Sequence, residues 1–418
     1  MGRPSTDATI EQIKLPWLLR AVNWMAERKP LGHRSWVDLS EAGLLNAAER
    51  IAGLSDWGDE EFQPQFRLLL ETYQNDADLT LIGRLMIRQM FLRMLFNRLR
   101  IQDTLKRHPD IRAIPIRRPI FIIGLPRTGT TLLHNLLAQD PSARVPRYWE
   151  LLYPCPLVVG QPPAKDPRRR RIQIVNWMIR QSLPALRRIH LSGALDPEEC
   201  IILLQNQFID FLPLGLQGGA GYRHWLVNHD MIPDYRYYRR QLQLLLSRQF
   251  GEPCILKSPC HLFWLDALLT VFPDASLVWT HRDPQKVIPS MCSLAAAYRK
   301  LGSNRVELSL IGERVVSMLR LALSRAIEVR ERANPSQFLD VDYHALMADP
   351  IGTVQHIYQF FDYPYSAAMQ RGMKRWLDAH PQYKHGVHRY SPDTFGLSRA
   401  TIDQQFGEYS RRFDIKPE

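Results

Sequence analysis

The residues most clearly suited to binding a ligand or doing chemistry are the eight at 124–131, which read Gly-Leu-Pro-Arg-Thr-Gly-Thr-Thr. They stand between a short apolar run typical of a buried strand and an apolar stretch typical of a helix. A glycine-containing turn at that place points several backbone N–H groups at one spot, and the helix dipole adds partial positive charge. Arg127 contributes a fixed charge, and hydroxyl donors come from Thr128, Thr130 and Thr131. The pattern predicts a cradle for a phosphate-like anion.

The same loop differs from a nucleoside-triphosphate loop at one informative position. Gly124 and Gly129 have the spacing of a Walker A motif, but Thr130 stands where that motif has its lysine. A triphosphate with magnesium needs this lysine to hold its β and γ phosphates. The substitution therefore favours a cradle for one phosphate or a phosphosulfate over a cradle for ATP.

Four segments of the chain together resemble one family. Residues 118–131 are similar to the 5′-phosphosulfate loop of sulfotransferases, which use 3′-phosphoadenosine-5′-phosphosulfate (PAPS). Three further segments resemble motifs of that family, in the order in which the family has them. They are the lysine-bearing strand end at 256–259, the 3′-phosphate signature at 277–290, and the last strand and helix at 338–350. The resemblance is strongest to the bacterial branch, because a helical region precedes the loop and Arg127 replaces the lysine of the cytosolic aryl branch.

This resemblance implies in-line transfer of the sulfuryl group from PAPS to a hydroxyl or amine, with adenosine 3′,5′-bisphosphate leaving and no metal required. Arg127 and Lys257 are the implied catalytic cations, which would stabilise charge on the sulfuryl and bridging oxygens. Arg282 at a strand end and Ser290 on the next helix can reach one phosphate together. The implied phosphosulfate contacts are Leu125, Pro126, Arg127, Thr128, Gly129, Thr130 and Thr131.

A late basic loop extends the implied cofactor site. Sulfotransferases often complete the 3′-phosphate site with an Arg-Lys-Gly loop near the C-terminus, and Lys384, His385 and Gly386 form a degenerate version of it. The resemblance thus implies cofactor contact at these three residues. A solvated basic loop is the alternative.

The base that would remove the acceptor proton has two main candidates. Glu150 follows a predicted strand, in the region where the protein-tyrosine and some bacterial relatives have their base. Its neighbours Tyr148 and Trp149 would desolvate it and raise its pKa. His261 is the rival, but it follows Lys257 by four residues, whereas the aryl branch has its histidine two residues after the lysine.

Two further acids stay open as bases. Glu198 and Glu199 begin a predicted helix in the region expected to cover the site. Acids in a first helical turn usually interact with the helix dipole, so they rank below Glu150.

The pattern of elements predicts an α/β fold, a P-loop-like three-layer core with a parallel sheet. An N-terminal helical region is expected at 1–115, and a sulfotransferase α/β domain at 116–418 with a helical lid inserted at about 157–250. Strands are predicted at 119–123, 143–145, 253–257, 276–280 and 337–341. Helices are predicted at 13–26, 39–51, 66–73 and 79–106, the last with its arginines on a polar side.

Composition narrows the class of partner and compartment. The 418 residues carry 54 Lys and Arg against 42 Asp and Glu, and the formal charge of +12 favours an anionic partner. Only 10 of the 54 are Lys, so Lys257 at a buried strand end stands out.

Five cysteines without a CxxC pair argue against a disulfide framework or zinc ribbon. Without a secretory leader or a long apolar span, a cytoplasmic location is expected, and peripheral contact with a membrane stays open.

Two alternatives belong to other functional classes. A P-loop nucleotide-dependent kinase or phosphotransferase would share the fold. Thr130 argues against it, because it occupies the position of the Walker A lysine. A non-catalytic anion- or membrane-binding protein would use the four arginines at 168–171 with Trp177 and Met178 on an anionic surface. Nucleic-acid binding is not expected, because the charge is spread along the chain and no binding motif occurs. The aromatic residues of the insertion suit a small or lipid-like acceptor, although core packing explains them equally well.

Overall fold

A computed structural model describes most of the chain. The described residues are 16–28, 36–59, 61–156, 165–182, 193–210, 219–303, 305–380 and 391–418.

Four parallel strands form the central sheet in the order β2-β1-β3-β4. Their bounds are β1 Ile120–Gly124, β2 Ile255–Lys257, β3 Ser276–His281 and β4 Phe338–Asp342. Every residue of β1, β2 and β3 is buried, as expected when helices cover both faces of a parallel sheet. The predicted α/β fold with a parallel sheet is confirmed.

Helices surround this sheet and precede it in the chain. In chain order they are α1 Trp17–Glu27, α2 Glu41–Ala52, α3 Gln63–Asn75, α4 Leu81–Arg107, α5 Thr130–Leu137, α6 Tyr148–Leu152, α7 Pro167–Ser182, α8 Ile201–Leu204, α9 Ala220–Asn228, α10 Ile232–Arg248, α11 Leu265–Val271, α12 Pro284–Gly302, α13 Leu308–Arg332, α14 Tyr343–Ala348, α15 Pro350–Phe360, α16 Ala367–Ala379 and α17 Arg399–Arg412. The helices predicted in the N-terminal region correspond to α1–α4.

The two faces of the sheet belong to two separate apolar cores. Side chains alternate across a strand, so Ile120 and Ile122 of β1 face one core while Phe121 and Ile123 face the other. The first core includes helices α5, α15 and α16. The second contains residues of α2, α3 and α4 together with α10, α12 and α13, and it crosses the predicted boundary near residue 115. Helix, sheet and helix thus make three layers.

The N-terminal helices contact the α/β part through a close crossing of α4 and α12. Thr80, the N-cap of α4, donates its backbone N–H to the Gly302 carbonyl at 2.9 Å. A Cβ on Gly83 would collide with that same carbonyl. The two backbones therefore meet without an intervening side chain.

Some local predictions differ from the structure. The strand expected at 143–145 is a single parallel bridge between Arg144 and Cys254 at the edge of β2. Two arginines of α4 do not lie on a solvated side: Arg84 donates to the Val37 carbonyl, and Arg98 is 2% exposed and paired with Asp59 at 2.7 Å. Burial of these arginines is possible because carboxylate and carbonyl oxygens accept hydrogen bonds from their terminal nitrogens.

The four-arginine run at 168–171 is also not one charged surface. Arg168 is 3% exposed, pairs with Asp166 at 2.6 Å, and donates to the carbonyls of Tyr153 and Cys155. Arg170 and Arg171 are exposed. The first arginine is thus a structural residue at the start of α7. In the described residues, no helix has the length and apolar character needed to cross a bilayer.

Candidate active site

The loop after β1 takes the shape that an anion cradle requires. Gly124 has a φ of 137°, and a Cβ there would lie 2.5 Å from the Thr280 carbonyl oxygen of β3. Gly129 has a φ of 86° and is the N-cap of α5. Both conformations favour glycine, and they turn the chain so that the first N–H groups of α5 point into the loop.

Thr128 locks this loop to the neighbouring strand. Its hydroxyl donates to the Leu125 carbonyl at 2.7 Å and lies 2.6 Å from the Thr280 hydroxyl. Thr128 is fully buried. Its side chain therefore holds the loop's shape, whereas the sequence predicted a direct contact with the anion. Thr131 is the exposed hydroxyl of the loop.

The structure brings the predicted phosphate-binding residues Arg127, Arg282 and Ser290 together. Arg127 Nε donates to Ser290 Oγ at 3.1 Å, and Arg282 Nη1 donates to the Arg127 carbonyl at 3.0 Å. Arg282 follows the last residue of β3, and Ser290 lies in the second turn of α12. Two guanidinium groups and a hydroxyl thus converge beside the loop, which is a geometry suited to a phosphate.

A carboxylate already accepts hydrogen bonds from Arg282. Glu418 Oε1 and Oε2 accept from Arg282 Nε and Nη2 at 2.6 and 2.9 Å, a bidentate pair. The Glu418 backbone N–H donates to Asp283 at 2.9 Å, and the guanidinium stacks 3.9 Å above the Tyr343 ring. The position opposite Arg282 therefore accepts an anionic group.

Lys257 ends β2 and pairs with an acid that lies just before α8. Its Nζ lies 2.8 Å from Glu199 Oε1, and the lysine is 1% exposed. Burial lowers the pKa of Lys257, but the carboxylates of Glu199 and Glu198 outweigh it and hold the pKa above its ordinary value. The backbone N–H of Cys200 donates to the Lys257 carbonyl at 3.0 Å, which anchors the acidic segment to the strand end.

Glu150 has different surroundings from those the sequence predicted. Its two oxygens accept from Arg144 at 2.7 and 3.1 Å, and Oε2 also accepts the Arg147 N–H at 2.9 Å in a capping box. Glu150 is 3% exposed. These contacts are those of a structural carboxylate that joins α6 to the edge of the sheet.

His261 lies in the core. Its Nδ1 is 2.7 Å from the Tyr235 hydroxyl, its Nε2 is 3.2 Å from Cys200 Sγ, and the residue is fully buried. Burial lowers the pKa of His261 to about 3. The neutral ring supports Cys200 from behind, and through it the acidic segment that contacts Lys257.

The structure adds two side chains that the sequence did not single out. His134 of α5 is 1% exposed, and neither ring nitrogen makes a hydrogen bond of normal geometry. Burial is the main cause that lowers the pKa of His134, and the nearby positive charge of Lys257 adds to it, so that the pKa is about 3. Burial also raises the pKa of Tyr298 on α12, and the negative charge of Glu198 raises it further. A polar residue inside the apolar stretch of α5 was the available signal for His134, whereas Tyr298 had none.

The late basic loop with Lys384, His385 and Gly386 lies outside the described residues. Its contact with a cofactor stays a prediction. Within the described ranges, no group of three or more His, Cys, Asp or Glu side chains could hold a metal ion.

Comparison with known proteins adds an independent observation. A family model described as "Sulfotransferase family" matches residues 119–367. The omega-hydroxy-beta-dihydromenaquinone-9 sulfotransferase Stf3 of Mycobacterium bovis is 27% identical over 302 residues, which cover 71% of this chain and 74% of that protein.

Two crystal structures are similar over almost their whole length. Sulfotransferase STF1 from Mycobacterium tuberculosis H37Rv has a TM-score of 0.80 and 32% identity, covering 89% of this chain and 99% of that one. Sulfotransferase STF9 from Mycobacterium avium has a TM-score of 0.83 and 30% identity, covering 91% and 98%. These shares exceed the part from residue 116 onward, so the similarity extends into the N-terminal helices.

Proposed function

Because the chain belongs to the sulfotransferase family and is a sulfotransferase of the bacterial type, we propose that it transfers the sulfuryl group of PAPS to the hydroxyl of an apolar, lipid-like alcohol. The observation that supports PAPS as the donor is the convergence of Arg127, Arg282 and Ser290 beside the loop at 124–131. The loop N–H groups suit the phosphosulfate, and the converging side chains suit the 3′-phosphate.

The acceptor class rests on two observations. The relative Stf3 is named for a hydroxylated menaquinone derivative, which is a lipid alcohol. In this chain the half-buried Tyr148 and the Tyr298 side chain lie near the carboxylate of Glu198, so aromatic rings adjoin the acids that would meet a hydroxyl.

The residues divide the chemistry among them. Lys257 stabilises negative charge on the sulfuryl oxygens and on the bridging oxygen of the leaving phosphate. Arg127 donates to Ser290 and therefore belongs with the 3′-phosphate, whereas the sequence predicted it at the sulfuryl group. The acceptor oxygen bonds to sulfur while the bond from sulfur to the bridging oxygen breaks, and that electron pair leaves with the phosphate. Glu199 takes the acceptor proton, because its carboxylate is more exposed than that of Glu150 and lies beside Lys257. The assignment differs from the sequence prediction, which ranked Glu150 first.

Calorimetry with adenosine 3′,5′-bisphosphate and with ATP plus magnesium tests the donor. We expect the bisphosphate to bind and ATP to bind more weakly, because Thr130 replaces the Walker lysine. Arg282→Ala should lose most of the preference for a 3′-phosphate, whereas Arg412→Ala, which removes an exposed pair with Glu331, should not. Tighter binding of ATP would refute the proposal. Labelled PAPS offered to long-chain and short-chain alcohols then tests the acceptor class.

A further inference from the structure

Helix α1 exposes its apolar face to solvent. Trp17 is 69% exposed, Leu18 57%, Trp24 53% and Met25 52%. These four residues recur at a spacing of seven, which places them on one side of the helix. Asn23 and Ala26 on the opposite side are buried against the protein. The exposed side is thus not the side that α1 needs for folding.

Segments that contact α1 carry further exposed apolar residues. Leu81 of α4 packs with Ala26 of α1 and Val37. The exposed Leu85 lies one turn further along that side of α4, with the exposed Met86 next to it. Trp36 is 49% exposed and precedes Val37, which packs with Ala26 in one small core. We call the exposed residues of α1, Trp36, Leu85 and Met86 the α1 patch.

Basic side chains accompany the α1 patch. Arg20 is exposed and lies one turn from both Trp17 and Trp24. The guanidinium of Arg28 stacks 3.7 Å above the Trp24 ring. Among the described residues of α1 and its two caps, Arg20 and Arg28 are basic and one residue, Glu27, is acidic, so positive charge adjoins the apolar side chains. Tryptophan with arginine is the composition of helices that lie in a membrane interface.

We propose that the α1 patch docks on the surface of an anionic lipid bilayer, with α1 parallel to the membrane. The apolar side chains would enter the boundary between headgroups and acyl chains, while Arg20 and Arg28 would contact headgroup phosphates. The proposal rests on the proposed function in one respect: docking would bring the site to an acceptor dissolved in the membrane.

Vesicle binding tests the docking without any nucleotide or acceptor. The full chain is mixed with phosphatidylcholine vesicles containing phosphatidylglycerol, and with pure phosphatidylcholine vesicles, and the bound fraction is measured by flotation. We expect stronger binding to the anionic vesicles. The variant W17Q/L18Q/W24Q/M25Q should bind them at least about tenfold more weakly.

A matched control comes from α7, whose Ile174, Trp177 and Met178 are also exposed. The variant I174Q/W177Q/M178Q should bind the vesicles about as well as the unchanged chain. Absence of vesicle binding by the unchanged chain, or equal loss in both variants, overturns the proposal. A dimer that only the α1 variant converts to monomer, with unchanged vesicle binding, would instead assign the patch to a second copy and also overturn it.

Brominated lipids provide a readout in case the fourfold variant does not fold. Trp17→Gln with Trp24→Gln should lose most of the tryptophan quenching by brominated acyl chains, and Trp177→Gln should keep it. The reverse pattern overturns the proposal. Sulfation of a short, soluble alcohol should be unchanged in all these variants, so a failure of docking leaves the proposed function separately testable.

Discussion

Two buried or half-buried carboxylates near the loop differ in what their partners allow. The oxygens of Glu150 accept three hydrogen bonds from Arg144 and Arg147, whereas Glu199 contacts the Lys257 ammonium and keeps part of its side chain exposed. A base must have an oxygen that the acceptor can reach. The partner of each acid, more than its residue type, separates a structural role from a chemical one.

Glu199→Gln should lower kcat by about two to four orders of magnitude while binding of adenosine 3′,5′-bisphosphate stays within a few-fold. The amide keeps the shape of the side chain but cannot take the proton. Steady-state kinetics and calorimetry on the same preparation measure both effects.

Glu150→Gln is the contrasting variant. It should lower the free energy of unfolding by about 3 kcal/mol, because the buried Arg144 loses its charge partner. Urea unfolding measures this loss. If Glu150→Gln abolished turnover without loss of stability, Glu150 would regain its predicted role as the base.

Glu418→Gln should raise the affinity for adenosine 3′,5′-bisphosphate several-fold, on the order of threefold to tenfold. The Glu418 carboxylate and a 3′-phosphate would occupy the same side of Arg282, so weakening the first favours the second. Glu331→Gln, which weakens the exposed pair with Arg412, is the control and should leave the affinity unchanged. Equal affinities in all three proteins would show that Glu418 does not compete.

At the scale of elements, the carboxyl ends of parallel strands determine where the site lies. The ends of β1, β2 and β3 carry the loop, Lys257 and Arg282, respectively, and these strands are neighbours in the sheet. A ligand at this edge therefore meets residues that are far apart in sequence. The contact of Gly124 with β3 fixes how closely the first of these ends approaches the others.

Gly124→Ala should abolish nucleotide binding and lower stability, because its Cβ would lie 2.5 Å from the Thr280 carbonyl and its φ of 137° disfavours a side chain. Gly407→Ala in α17 is the matched control, since a Cβ there meets nothing within 4 Å. The control should raise the free energy of unfolding by about 0.5–1 kcal/mol. Calorimetry and urea unfolding distinguish the two; nucleotide binding retained in Gly124→Ala would contradict the strained geometry.

At the scale of the whole molecule, the positive charge is partly internal. Arg84, Arg98, Arg144 and Arg168 are all buried with carboxylate or carbonyl partners. These arginines stabilise contacts between elements and do not face a ligand. Three of them pair with Asp59, Glu150 or Asp166, so these pairs leave the formal excess of +12 unchanged and lower only the number of arginines that an anionic partner can reach.

Stability should fall in acid because His134 and His261 are buried in neutral form. Their pKa values are about 3 in the folded chain, below the ordinary value of 6.5. As pH falls below about 6.5, the unfolded chain takes up protons that the folded chain refuses, so each histidine costs about 1.4 kcal/mol per pH unit. Urea unfolding at pH 5.5 and 4.5 measures the slope, which His261→Gln should reduce by about this amount. An unchanged slope would show that His261 titrates normally.

The sequence predicted the four strands of the sheet, because apolar runs indicate buried strands. The family resemblance predicted that Arg282 and Ser290 would reach one phosphate together, but not that Arg127 would donate to Ser290. The sequence did not predict that Glu199 would reach Lys257 across 58 positions, since no periodic pattern links an irregular segment to a strand end. The pairing of Glu150 with Arg144 was equally hidden, because the short strand expected around Arg144 is a single bridge. Pairs between charged side chains outside regular elements are decided by tertiary packing.

The crossing of α4 and α12 limits which residues can replace the two glycines at its centre. Position 83 has no room for any Cβ, whereas a Cβ at position 302 would lie 3.3 Å from the Gly83 Cα and needs only a small adjustment. Descendants of this chain that keep the crossing are thus expected to keep glycine at 83 and to vary between glycine and alanine at 302. A homologue with a larger residue at 83 is expected to have its N-terminal helices further from the α/β part.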